Sequence, residues 1–177
     1  MNHPLVRFRY CPVCGSENFI ANSEKSKICK DCGFEYFMNP SSANVAFILN
    51  DKGELLVTRR KHHPAKGTLD LPGGFADIGE TAEEGVIREV KEETGLDVTK
   101  VTYLFSVNNT YLYSDLNIPT LDLFFLCEVK DCRNVQASDD AESCMWIPVN
   151  EIKIEQFGLK SLQKGLKRFI STFLIRE

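Results

Sequence analysis

The stretch from Gly74 to Leu96 reads GFADIGETAEEGVIREVKEETGL and carries a complete helix signal together with an excess of acid. Thr81 is a good N-cap, and Glu84 three residues on completes a capping box, which satisfies two backbone N–H groups at the helix start. Ala82, Val86 and Val90 recur every four residues as one apolar stripe, with Ile87 beside it. Gly95 stands where a left-handed residue ends a helix. The spacing predicts a helix over 82–94, about 20 Å long. Glu89, Glu92 and Glu93 fall at i, i+3 and i+4, so they share a face. Like charges at those offsets oppose the helix by about 0.2–0.5 kcal/mol per pair, partly offset by Arg88, which is four residues from both Glu84 and Glu92. A hard divalent cation, which prefers oxygen ligands, gives the three acids a reason to converge. The ordinary alternative is a solvated acidic face. Gly73 and Gly74 favour the cation, because they let backbone, and with it a carbonyl ligand, approach the helix flank.

Working outward toward the N-terminus, Pro72-Gly73-Gly74 interrupts regular structure, and Thr68 to Leu71 is a short extended piece. Lys61 to Gly67 is a basic loop containing His62 and His63. Asn44 to Leu49, NVAFIL, reads as a buried strand, Asn50 to Gly53 as a turn, and Glu54 to Arg60, ELLVTRR, as the partner strand of a hairpin. Toward the C-terminus, Val98 to Tyr113 is β-rich, Ser114 to Pro119 reads as a turn or loop, and Thr120 to Val129 is a strong strand. Asp131 to Ala141 is polar, with a short strand near Val135. Glu142 to Pro148 is a short strand that leads into a helix start. Leu159, Leu162, Leu166, Phe169, Ile170, Phe173 and Leu174 have helical spacing and predict an amphipathic helix within 158–175.

Before Pro40 the chain has a different character. Cys11 and Cys14 lie in CPVCG and Cys29 and Cys32 in CKDCG, with fourteen residues between the pairs. Two such knuckles complete a tetrahedral four-sulfur shell, which is closed and leaves no position for catalysis. Gly15 and Gly33 follow each second cysteine and supply the dihedrals of a tight turn. So small a segment needs a staple, and a structural zinc supplies one. Two unrelated pairs or a redox dithiol are the alternatives. Cys127, Cys132 and Cys144 are scattered; an odd total of seven, with no secretory signal at the start, argues against a disulfide framework.

The whole chain has 177 residues, 43% of them hydrophobic and 26% charged, which suits one medium globular domain with a small extra module. A net charge of -4 gives no general attraction to nucleic acid or to an anionic membrane. Apolar runs such as Leu121 to Cys127 are too short to span a bilayer, so a cytoplasmic location is the default expectation.

The central stretch resembles the Nudix box. That pattern is a Gly, five residues, a Glu, seven residues, Arg-Glu, an aliphatic, any residue, Glu-Glu, any residue, Gly and an aliphatic. Gly74, Glu80, Arg88, Glu89, Val90, Glu92, Glu93, Gly95 and Leu96 fill it at every interval. LDLPGGF before it and Trp146-Ile147-Pro148 after it are also similar to that family. The four-cysteine segment resembles the ribbon of Nudix proteins related to NADH pyrophosphatase. The resemblance implies an α/β fold, an α/β/α sandwich around a mixed sheet over residues 39–177, preceded by a zinc ribbon over residues 1–38. It implies that Glu89, Glu92 and Glu93, with the Gly73 carbonyl, hold magnesium or manganese, that Arg88 orients the glutamates, and that Glu80 braces the loop. A further acid four residues before the tryptophan is Glu142, with Asp139 and Asp140 as competitors. Zinc on Cys11, Cys14, Cys29 and Cys32 is structural.

The implied reaction is hydrolysis of a diphosphate bond in a nucleoside diphosphate linked to another group. Metal neutralises phosphate oxygens and acidifies a bound water. Glu89 or Glu142 serves as general base. Arg59, Arg60, Lys61 and Lys66 are candidates for phosphate contacts. NADH pyrophosphatases carry a Ser-Gln-Pro-Trp-Pro-Phe-Pro-like motif after the box, whereas this chain has Ser106-Val107-Asn108-Asn109-Thr110-Tyr111-Leu112-Tyr113. NADH specificity therefore does not follow from the ribbon. ADP-ribose or a related ADP-linked compound leads; nucleoside triphosphates and capped RNA stay open. A different class is a nucleotide-sensing module whose ribbon contacts protein or nucleic acid, and the ribbon resemblance also points to a homodimer.

Overall fold

A computed structural model describes residues 3–113, 115–138 and 140–173, and in it the chain divides into two units, Met1–Pro40 with Thr110–Pro119 and Ser41–Asn109 with Thr120–Glu177. In the first unit, β1 (Phe19–Ser23), β2 (Ser26–Cys29) and β3 (Glu35–Phe37) form an antiparallel sheet in that order. The two cysteine knuckles repeat one turn. Gly15 and Gly33 are left-handed, at φ 74° and 77°, and donate to the carbonyls of Cys11 and Cys29 at 2.8 and 2.9 Å. Among the described residues, Cys11, Phe19 and Cys29, with Phe8 and Phe34 against them, form a small apolar cluster here. A core of that size cannot hold such a unit without a staple.

The second unit has two sheets. β4 (Ser41–Phe47), β7 (Gly73–Phe75), β8 (Val98–Tyr113) and β9 (Leu116–Val129), the last two apart from their ends within 110–119, make a mixed sheet in the order β7-β4-β9-β8. β4 is antiparallel to β7 and parallel to β9. β5 (Glu54–Arg60), β6 (Leu69–Asp70) and β10 (Ala141–Pro148) make an antiparallel sheet in the order β10-β5-β6. Alternate side chains of the strands enter different cores, as a period of two requires. Ala46, Ile48, Leu56 and Phe125 pack with Val86 and Val90 of α1 (Ala82–Thr94). Phe47, Leu55, Val57 and Phe124 pack with Leu162, Leu166 and Phe169 of α2 (Lys160–Phe173). Helices therefore cover two cores with sheet between them, the α/β/α arrangement. Phe47 and Phe169 stack with ring centroids 3.9 Å apart, and losing such a ring costs about 3–5 kcal/mol.

Several strand expectations need correction. β4 and β5 are not partner strands: their antiparallel pairing is confined to the bridge Leu49↔Leu55 beside the turn. Beyond it β4 finds β7 and β9, and β5 finds β6 and β10, because each strand buries both faces and needs different neighbours. Gly73 and Gly74 continue as strand β7, paired to Val45 and Asn44. β9 begins at Leu116, inside the stretch expected as loop, and no strand forms near Val135. Leu174 and Ile175 of the expected C-terminal helix lie outside the described residues. Among the described residues, no helix is long and apolar enough to cross a membrane.

Candidate metal and active site

The acidic helix α1 starts and ends as its sequence dictates. The Thr81 side chain accepts from the Glu84 N–H, the Glu84 side chain accepts from the Thr81 N–H, and Gly95 closes the helix at φ 72°. The face bearing the acids is organised by Arg88. Its Nε donates to Glu80 Oε1 at 2.7 Å and its Nη2 to Glu80 Oε2 at 3.1 Å. Nη1 donates to Glu89 and Glu92 at 2.9 and 2.8 Å, and Nη2 also reaches the Phe75 carbonyl at 3.0 Å. The Glu80 hydrogen bonds, with Glu89 and Glu92 behind them, raise the Arg88 pKa despite partial burial. Glu80 also accepts from the Asp77 N–H at 2.9 Å, so it ties the loop before the helix to the helix itself.

Glu93 is set apart from this bracket. It is 7% exposed, against 45% for the Glu92 side chain. Its Oε2 accepts from the Gly73 N–H at 3.1 Å. Burial pushes its pKa from the ordinary 4.5 to about 8; the Gly73 N–H works against that, while Asp70, Glu89 and Asp140 add to it. The glycines before the helix permit this approach. A Cβ on Gly73 would lie 2.0 Å from the Asn44 carbonyl oxygen, and φ there is 148°. A Cβ on Gly74 would lie 2.6 Å from Glu89 Oε1.

The other candidates lie outside the box. Glu142 is exposed, at a register shift in β10 between Ala141 and Ser143. Such a bulge re-aims a side chain. It lines a cleft of about 380 Å³ with Lys61, Lys66, Ala137, Ser138 and Ala141. The Ser138 N–H donates to the Glu93 carbonyl at 3.0 Å, which joins the cleft wall to the end of α1. Lys61 and Lys66 face this cleft, whereas Arg60 is bound to Asp70 and to the Pro64 carbonyl, and Arg59 to the Gly67 carbonyl. Asp140 acts on Glu93, and Asp139 lies outside the described residues. The sequence reading gave no role to Asn44 and Asp122, which are buried, or to Asp70, which is half-buried beside Arg60. Asp70 stands in the LDLPGG run, but no local pattern marks it as the partner of Arg60.

In the ribbon, Cys11, Cys14, Cys29 and Cys32 bring their sulfurs within 4.8 Å of one another. Cys11–Cys32 and Cys14–Cys29 are 3.7 and 3.6 Å apart. A tetrahedron with zinc–sulfur bonds of roughly 2.3 Å has edges of about 3.8 Å, whereas a disulfide needs about 2.05 Å. Backbone N–H groups of Cys32 and Asp31 draw the Cys29 thiol down to about 6. The four sulfurs fit a zinc ion.

Residues 38–173 match the NUDIX domain family. The chain belongs to the NUDIX family. It is 32% identical over 136 residues to an ADP-ribose pyrophosphatase of Methanocaldococcus jannaschii, covering 77% of this chain and 78% of that protein. It is 34% identical over 104 residues to the NAD-capped RNA hydrolase NudC of Vibrio atlanticus, covering 59% of this chain but only 38% of that protein. A Nudix hydrolase from Nitrosomonas europaea superimposes with a TM-score of 0.72 at 21% identity, over 93% of this chain and 92% of that one. The Nudix domain of Shewanella oneidensis NrtR, complexed with ADP ribose, does so at 0.62 and 21% identity, over 78% of this chain and 90% of that one.

Nudix enzymes generally use divalent metals, and the donor set here suits one. Glu89 and Glu93 are hard oxygen donors held close to the Gly73–Gly74 backbone, and Glu93 is a buried acid among further acids. Among the described residues, however, the cysteines are the group whose ligand atoms lie within 4.8 Å of one another. Glu89 and Glu92 are instead shared by Arg88.

Proposed function

We propose that this Nudix protein hydrolyses the diphosphate bond of ADP-ribose or a closely related ADP-linked compound. The observation that carries the reading is the alignment with the M. jannaschii ADP-ribose pyrophosphatase, which spans most of both chains. The NADH-pyrophosphatase-like motif is missing between Ser106 and Tyr113, in keeping with that choice. Glu89, Glu92, Glu93 and the Gly73 carbonyl would hold magnesium or manganese, with Glu142 as the acid from outside the box. When bound, the cation neutralises phosphate oxygens and lowers the pKa of water.

The protein's own groups have separable tasks. Glu93, beside Gly73 of β7, presents a carboxylate that water does not reach freely. Glu89, half-buried beside Gly74, holds or takes a proton at the attacking water, or Glu142 does so from the cleft. Arg88 and Glu80 keep the helix and its preceding loop in one geometry. Lys61 and Lys66 offer charge to the substrate's phosphates across the cleft from Glu142. The ribbon zinc serves structure.

A panel of ADP-ribose, NADH, nucleoside triphosphates and NAD-capped RNA, each with fixed magnesium or manganese, tests this reading. AMP release fastest from ADP-ribose supports it; an intact panel defeats it. Faster attack on NAD-capped RNA would favour the second reading, for which the match to NudC, over 38% of that protein, is the supporting observation.

A further inference from the structure

All the charged side chains of α2 are cationic, and they share one face. Lys160, Lys164, Lys167 and Arg168 are exposed, and Lys160–Phe173 contains no acid, in a chain whose net charge is -4. At about 100° per residue the four fall within roughly 100° of arc, opposite Leu162, Leu166 and Phe169 in the core. The stripe runs about 12 Å along the helix axis. Packing sets which face points outward. Gly165 is buried, and a Cβ there would lie 2.3 Å from the Phe124 ring, so the helix lies flush on β9. Arg168 rests over the Phe105 ring, 4.4 Å from its centroid. Lys160–Lys164 and Lys164–Arg168 are i,i+4 pairs of like charge, which oppose the helix. Among the described residues, no ion pair joins any of the four to an acid. The stripe begins beside the cleft. Gly158, two residues before Lys160, packs on the basic loop: a Cβ on it would lie 2.4 Å from Ala65 Cβ and from Thr68 Oγ1. The residue after Ala65, Lys66, lines the cleft with Lys61 and Glu142. Cations therefore stand on both sides of this contact, in the cleft and at the start of the helix.

We infer that the outward face of α2 binds the phosphate backbone of a single nucleic-acid strand. The choice of a strand over an acidic protein rests on the diphosphate-cleaving reading of the cleft. A nucleic acid is the polyanion that is covalently continuous with a diphosphate at its own end. Lysines at i, i+4 and i+7 offer point charges at intervals of about 4.5–6 Å along the axis. Such charges hold phosphates without selecting bases. The apolar face of α2 is spent in the core, so the helix has none to insert into a membrane interface.

The test is the binding of a fluorescein-labelled RNA of about 12 nucleotides, followed by anisotropy between about 50 and 200 mM salt. Its 5′ end is a hydroxyl, so it has no diphosphate to cleave. For wild type, the logarithm of the affinity should fall linearly with that of the salt, with a slope of about -3 for four neutralised phosphates. The triple variant Lys160→Gln, Lys164→Gln, Lys167→Gln leaves the buried face of α2 intact. Its slope should shrink to about -1 and its affinity fall by more than about tenfold at the lowest salt, with ADP-ribose turnover as in wild type. Wild-type affinity and slope in that variant overturn the inference, as does wild type that binds no RNA at the lowest salt. Polyglutamate that displaces the RNA at equal charge assigns the face to an acidic protein and overturns it too. If the triple variant fails to fold, Lys164→Gln alone should reduce the slope by about 0.7, and an unchanged slope there is the contrary result. RNA bound through these lysines by a protein that leaves every nucleotide substrate intact sinks the catalytic reading and leaves the α2 assignment standing.

Discussion

The cysteine site and the carboxylate site are both clusters of ligand side chains, but they are assembled by different forces. In the ribbon, short side chains are placed by two copies of one backbone turn, and two pairs of sulfurs stand 3.6 and 3.7 Å apart. In the Nudix helix, long side chains share a face by spacing alone and repel one another. Arg88 gathers Glu80, Glu89 and Glu92, while Glu93 withdraws to the Gly73 N–H. Backbone geometry sets the spacing of the sulfurs, whereas a bracket of charge sets that of the carboxylates.

The largest expected effect breaks the ribbon side of this contrast. Cys29→Ser should take zinc from one per chain to none and unfold the first unit, since structural zinc contributes about 10–16 kcal/mol in comparable small modules. Metal analysis with an NMR spectrum checks it; a zinc-free first unit that stays folded contradicts it. Next, Gly73→Ala should destabilise the second unit by roughly 3 kcal/mol or more, because a methyl there meets the Asn44 carbonyl and the backbone cannot move away. Chemical denaturation measures that loss.

A smaller effect tests whether charge governs the carboxylate site. Between pH 4.5 and about 8 the folded state holds the Glu93 proton and the unfolded chain has lost it. Metal-free stability should therefore fall as pH rises through this window and level off above it. Magnesium should flatten the slope. A metal-free stability that is constant across the window would show that Glu93 is not held as described. The smallest effect sharpens the role of the bracket. Arg88→Lys keeps the charge and loses the fork, so stability should drop by about 1 kcal/mol, while metal binding should change more than fold.

What the sequence made legible was local. The helix over 82–94, its Thr81–Glu84 box and its Gly95 cap all follow from residues within four positions of one another, and the structure has them all. The same holds for the matched turns at Gly15 and Gly33. Partner choice was not legible, because β4 and β5 meet at a turn that reads as a hairpin and then join different sheets. Gly73 and Gly74 read as breakers, yet a strand forms where their missing side chains let β7 lie against Asn44 and Glu89. The burial of Asn44 and Asp122 depends on distant segments. In the candidate site, the common face of Glu89, Glu92 and Glu93 was visible in their mutual spacing, but the seclusion of Glu93 beside Gly73 was not.

The central claim is that these acids serve a divalent cation in diphosphate cleavage. Its most direct test is release of AMP from ADP-ribose by wild type and Glu93→Gln, each with magnesium and with chelator. The account predicts AMP from wild type only with magnesium, and a loss of more than about 100-fold in a Glu93→Gln protein that remains folded, since bound metal contributes several kcal/mol to the barrier. Equal turnover by the two proteins, or wild-type turnover unchanged by chelator, would contradict it.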